Sequence, residues 1–278
     1  MTIFSWGGAK GTPLAVLAGM AILTIGPTGC ASSAIAADAG VPHGCESRFL
    51  AGVLPPDANV QLLVAAGDTV PARAFTDYRS IALHVVVCAG SNSTLTLRPI
   101  NGQSFSEQAI SVERVPVRSG DVINPIHNRA EANAFKEREA AALDRLQGYP
   151  NPVHWSDPLG ALLVAADAQR LAGVGPKRII IVSNGYLQTP EYNIFRFRAN
   201  PISFVGPVLR TLREEHTLPA LSGTDVVIVG VTAGASGMDG TTGETRGVCR
   251  FWEAIVAAGH GTLVYCGRGL PDVSGAMP

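Results

Sequence analysis

Short, continuous apolar runs recur along this chain, and helical periodicity fills the gaps between them. The runs are 60–66 (VQLLVAA), 177–183 (KRIIIVS), 225–231 (DVVIVGV) and 262–266 (TLVYC). Runs of this length without polar alternation are expected of strands buried on both faces. Residues 93–99 (STLTLRP) and 110–117 alternate instead, and Pro116 makes the second an edge strand. Between the strands, apolar positions at Phe75, Tyr78, Ala82, Val85, Val86 and Ala89 follow helical spacing and predict a helix over 74–89. The β-branched triplet 85–87 leaves strand as an alternative for its end, and Gly90 fits a helix stop. Residues 128–147 predict a helix closed by Gly148, its charges forming a solvated face. Ser156-Asp157-Pro158 predicts a helix start, with a side-chain cap followed by proline at the first helical position. Residues 203–216 and 249–258 predict two more helices, and 232–247 a Gly- and Thr-rich loop. Strands alternating with helices from 60 to 266 imply βαβ crossovers. The expected fold class is α/β, a doubly wound, mostly parallel sheet with helices on both faces. The expected organisation is a leader over 1–36, a linker over 37–59, one α/β domain over 60–268 and a tail over 269–278.

Composition narrows the class. The chain has 278 residues, 46% of them apolar and 15% charged, with 21 Lys and Arg against 22 Asp and Glu. That balance lacks the electrostatic footprint of a nucleic-acid binder. Residues 1–36 carry one charged residue, Lys10, and the apolar run 13–26 is shorter than the roughly 20 residues that span a bilayer. It suits the apolar core of a signal peptide. Two processing sites compete: Cys30 after Pro-Thr-Gly, which resembles a bacterial lipobox, and Ala34-Ile35-Ala36, an A-x-A cut. Either places the protein outside the cytoplasm, as a membrane-anchored lipoprotein or in secreted form. Membrane contact would then run only through the leader or its lipid.

Either cut leaves Cys45, Cys88, Cys249 and Cys266, an even set that predicts two disulfides in an oxidising compartment. Strand polarity suggests the pairing. Cys45 precedes the first strand and Cys88 closes the helix that returns to the strand-start side. Cys249 opens the last helix on the strand-end side, where Cys266 ends the last strand. The expected bonds are Cys45–Cys88 and Cys249–Cys266, because opposite ends of a sheet are out of disulfide reach.

The order of these pieces resembles the von Willebrand factor type A (vWA) family. The landmarks are a strand leading to Asp68, the segment SDPLGAL from Ser156, the strand IIIVS followed by Asn184-Gly185, and the strand 225–231. The resemblance implies a metal-ion-dependent adhesion site at the strand ends, built from D-x-S-x-S, a middle-loop hydroxyl and a later Asp. Asp68 stands at the first Asp, Val70 and Ala72 at the two serine positions, Ser156 at the hydroxyl and Asn184 at the later Asp, with Asp157 beside them. Mg²⁺ requires oxygen ligands in octahedral geometry, and this set has lost two hydroxyls and a carboxylate. The expectation is a degenerate site, no cofactor beyond weakly held Mg²⁺, and contact with a protein partner at the strand-end face. The alternative is an exported α/β hydrolase with an unrecognised site. No phosphate-binding glycine loop, H-E-x-x-H or G-x-S-x-G motif supports it, and the six histidines are scattered.

Overall fold

The computed structural model describes Cys45 and residues 52–67, 70–117, 125–198, 200–232 and 241–271. Among these, six strands form one sheet: β1 (Asn59–Ala65), β2 (Thr94–Ile100), β3 (Ser111–Arg114), β4 (Lys177–Val182), β5 (Thr224–Val229) and β6 (Thr262–Gly267). They lie in the order β3-β2-β1-β4-β5-β6. Every neighbouring pair is parallel except β2 and β3. The helices are α1 (Ala72–Cys88), α2 (Pro125–Gln147), α3 (Pro158–Leu171), α4 (Val205–Glu214) and α5 (Thr242–Ala258). This is the doubly wound architecture expected from the strand–helix alternation.

The continuous apolar runs serve two cores because side chains alternate across a strand. Val60, Leu62 and Val64 of β1, Ile180 and Val182 of β4, and Val227 and Val229 of β5 pack beneath α1 and α2. Leu63, Ile179, Ile181, Val226 and Ile228 point the other way, against α3, α4 and α5. The edge strand β3 pairs only with Thr94–Leu97, so Pro99 lies beyond the stretch of β2 that has a neighbour on that side. A missing N–H is tolerated at such a position.

The structure settles the alternative at 85–87 for the helix, keeps Gly90 just past the helix cap, and differs from the sequence expectations in the start of α5 and the charges of α2. Residues 85–87 are helical, because Val85 and Val86 lie on the buried stripe of α1. Gly90 follows an Ala89 cap and is required by close approach: a Cβ there would sit 2.4 Å from the carbonyl of Pro55. Helix α5 begins at Thr242, inside the expected loop, because Thr241 and Glu244 form a reciprocal capping box. The charges of α2 are not all solvated: Glu139 is fully buried. Its Oε2 accepts from Ser111 Oγ at 3.0 Å, while Oε1 is buried without a hydrogen-bond partner. Burial pushes its carboxyl above the usual range, and Ser111 opposes that shift.

The end of the segment read as a linker is a strap docked on the domain. Val53, Leu54 and Ala58 are buried. Arg178 Nε donates to the Val53 carbonyl at 2.9 Å, and Ser93 Oγ accepts from the Ala58 N–H at 3.0 Å. Disulfides join Cys45 to Cys88 and Cys249 to Cys266, with Cα separations of 5.3 Å and 5.6 Å. This is the pairing that strand polarity requires, although Cys249 lies within α5 rather than at its start.

Candidate binding face at the strand ends

The chain leaves β1 toward α1 on one face of the sheet and leaves β4 toward α4 on the other. Adjacent strands whose connections diverge form a switch point, and ligands of open α/β sheets bind outside the strand ends there. Three segments meet at this end: the turn after β1 at Gly67, the loop after β2 from Asn101, and the turn after β4 at Ser183 and Asn184.

The sequence-derived positions around the switch point have structural partners. Asp157 is 7% exposed and caps α3, its Oδ1 accepting from the Gly160 N–H at 2.8 Å. Burial pushes its carboxyl up to about 6, and Glu191 adds to the shift, while the N–H groups of Gly160 and Leu159 oppose it. Ser156 pairs its backbone with Gln188 in both directions, at 3.0 Å and 2.8 Å. Asn184 Oδ1 accepts from the Tyr186 N–H at 3.0 Å, and its carbonyl accepts from the Thr232 N–H at 2.8 Å. The Ser183 hydroxyl accepts from the Gly185 N–H at 3.2 Å. Trp252 Nε1 donates to the Gly185 carbonyl at 2.8 Å, fixing the turn against α5. Val70 packs against the core beneath α1, and Ala72 is the first residue of α1. Helix α1 is capped at Pro71 without a side-chain bond. Asp68 lies outside the described residues, as does Cys30.

These contacts bear on the implied metal. Asp157 Oδ1 and Asn184 Oδ1 each accept from a backbone N–H group. Val70 offers carbon where the family's motif has a hydroxyl. Among the described residues, no group of three or more His, Cys, Asp or Glu is placed to hold an ion.

The sequence reading missed the loop after β2. Asn101 is fully buried. Its Nδ2 donates to Glu107 Oε1 at 2.7 Å, and its carbonyl accepts from the Asp157 N–H at 2.9 Å. Tyr149 donates its hydroxyl to the other Glu107 oxygen at 2.5 Å, and burial together with that bond pushes the phenol up to about 12. Asn151 Oδ1 accepts from the Gly102 N–H at 3.2 Å, and its Nδ2 donates to the Trp155 carbonyl at 2.9 Å. This polar lattice presents an apolar surface. Phe105 is 61% exposed and Trp155 38% exposed. The Phe105 ring lies against Gly160, and Val153 and Trp155 lie against Gly102. The signal in the sequence was Phe105 alone amid polar residues (GQSFSEQ) after a strand.

Phe195 and Arg198, between β4 and α4, are engaged locally. Phe195 meets Tyr186 edge-on at 5.3 Å, and Arg198 lies 5.6 Å above the Phe195 ring and 3.7 Å from Glu244. Three histidines, His154, His216 and His260, occupy exposed turn positions with left-handed backbone angles. That conformation is several-fold enriched in Asn, Asp and His, which accounts for their scatter.

No protein-family model matches the chain, and no curated protein matches it in sequence. Among solved structures it is similar to the crystal structure of a conserved hypothetical protein, BatB, from Bacteroides thetaiotaomicron. That similarity has 13% identity and a TM-score of 0.36, covering 76% of this chain and 90% of the other. The class rests on the topology itself: a doubly wound α/β protein with its switch point between β1 and β4.

Proposed function

We propose that this chain is an exported, envelope-associated interaction module of the vWA-like kind, whose strand-end face binds a protein partner without a metal ion. The observation that carries the reading is the contrast across that face. Asp157 Oδ1 and Asn184 Oδ1 accept from backbone N–H groups, while Phe105 and Trp155 stand exposed near Asp157. Exposed aromatics on a rigid base are typical anchors of protein–protein contacts. Export is supported by the charge-poor leader and by two disulfides. Among the described residues no helix is long and apolar enough to cross a membrane.

The test is capture of a partner from intact envelope, with and without EDTA, by the wild type and by a Phe105→Ser, Trp155→Ser variant. Capture should persist in chelator and fall at least tenfold in the variant, the effect of losing one anchor worth about 1.4 kcal/mol or more. Millimolar Mg²⁺ or EDTA should leave the melting temperature unchanged, since a weakly held ion adds little stability. Micromolar Mg²⁺ affinity by calorimetry that disappears in Asp68→Ala would overturn the metal-free reading.

A further inference from the structure

The outer edge of the sheet carries binding chemistry of its own. Strand β3 pairs with β2 and, among the described residues, with no other strand. The Val115 N–H donates to the Ser93 carbonyl at 2.8 Å, and the bonds of an antiparallel ladder alternate along the strand. Ser111 and Glu113 therefore turn their backbone groups toward β2, opposite Leu97 and Leu95. The N–H and C=O of Val112 and Arg114 point the other way, off the edge of the sheet. Val112 is 64% exposed, and Arg114 is exposed as well. A cavity of about 400 Å³ opens beside this edge. Arg114, Pro116 and Val117 line one side of it, and Glu131, Ala134 and Arg138 of α2 the other.

The charges around the cavity indicate what fits it. Arg114 Nε donates to Asn92 Oδ1 at 2.8 Å, and Nη2 reaches the same oxygen. Asn92 Nδ2 donates in turn to Asp57 Oδ1. Arg114 thus meets a neutral amide where a guanidinium pairs best with a carboxylate. The nearby glutamates have partners already. Arg138 holds Glu113 through Nε and Nη2, at 3.1 Å and 2.9 Å, and His127 lies 3.1 Å from Glu131. A carboxylate entering the cavity therefore finds Arg114 with no acidic side chain in direct contact among the described residues. A second copy of β3 fits poorly. Two-fold pairing about Glu113 or about Arg114 sets like charges opposite one another, which is destabilising. Pairing about Val112 needs the Ile110 N–H, which already donates to the Leu97 carbonyl at 2.8 Å.

We propose that β3 takes an extended segment of a partner protein as an added strand, with an acidic side chain of that segment held by Arg114 in the cavity. Strand addition draws affinity from backbone hydrogen bonds and specificity from side-chain pockets. Val112 and Arg114 offer one donor and one acceptor each, so the backbone contribution is small and the carboxylate decides which segment binds. The site lies at the start of β2, whereas Phe105 follows the end of that strand. It is a second contact surface and does not depend on the strand-end face.

The test selects binders for the purified full chain from a library of eight-residue peptides, acetylated and amidated so that only side chains carry charge. Selected peptides should share an Asp or Glu at one position. Their affinity should fall at least tenfold when that acid is replaced by its amide, and equally in Arg114→Gln. It should stay unchanged in the Phe105→Ser, Trp155→Ser variant. N-methylation should abolish binding at alternate peptide positions only, because every second N–H of an added strand points at β3. In hydrogen exchange, the peptide should slow the amides of Val112 and Arg114 at least tenfold and leave those of Ser111 and Glu113 as they were. Binders without a shared acid, binders that tolerate N-methylation throughout, or a selection that yields none would each overturn the proposal. Val112→Pro removes an outward N–H and no bond to β2. Self-association of the wild type that disappears in this variant would assign the edge to a second copy and overturn the proposal likewise.

Discussion

Two buried carboxyls, Asp157 and Glu139, set the expected pH response of this protein. Both have folded-state pKa values raised above their ordinary ones, chiefly by burial. A raised carboxyl binds its proton more tightly in the fold than in the unfolded chain, so its contribution to stability is complete at low pH and declines as pH rises. For Asp157 the decline runs from its ordinary value of 3.8 to about 6. Asn caps a helix about as well as Asp, so Asp157→Asn removes the charge and keeps the cap. That variant should melt at or above the wild-type temperature at pH 7.5, and its melting temperature should vary less between pH 4 and 6.5. Asp157→Ala should instead lose about 1 kcal/mol in urea unfolding, the cost of a lost cap. A wild type that gains stability steadily across that pH window would contradict the assignment. Asp157 as a cap was legible in the sequence because Ser-Asp-Pro is a local signal. The burial of Glu139 was not, since it depends on β3 lying beneath α2, a contact between segments 28 residues apart.

At the level of elements, local chemistry and long-range packing divide the work. The strands β1, β4 and β5 were legible because an interior parallel strand is apolar on both faces. Helix α5 carries a capping box in Thr241-Thr242-Gly243-Glu244, yet the surrounding glycines made the segment read as a loop. Both arms of the box are present: Thr241 Oγ1 accepts from the Glu244 N–H at 3.2 Å, and Glu244 Oε2 accepts from the Thr241 N–H at 2.6 Å. Thr241→Ala should therefore cost about 1 kcal/mol by chemical denaturation, and a neutral result would place the helix start elsewhere. The Phe105–Trp155 surface belongs to the same lesson. Its two aromatics come from the loop after β2 and the approach to α3. Their loops are brought together where the Asp157 N–H bonds the Asn101 carbonyl. No pattern within either segment carries that adjacency.

For the molecule as a whole, the two disulfides close loops of different length. The Cys45–Cys88 bond spans 43 residues and the Cys249–Cys266 bond 17. Restriction of the unfolded chain grows with loop length, giving about 4 kcal/mol for the first and about 3 kcal/mol for the second. Double Cys→Ser variants should lower the urea midpoint in that order, and the reverse order would show that native-state contacts outweigh loop entropy. The first bond also has a mechanical consequence. β1 lies in the interior of the sheet, hydrogen-bonded to β2 and β4 along its length. Without the crosslink, tension from a moored N-terminus would pull directly on the strap and then on this strand. With Cys45 fastened to Cys88, force from such a mooring would cross the covalent bond and run on through β2 to the loop that bears Phe105. The strap and β1 then lie outside the load path. If the chain is moored as proposed, a partner bound at the Phe105 loop would be joined to the mooring by a covalent path that bypasses the hydrogen-bonded ladder around β1.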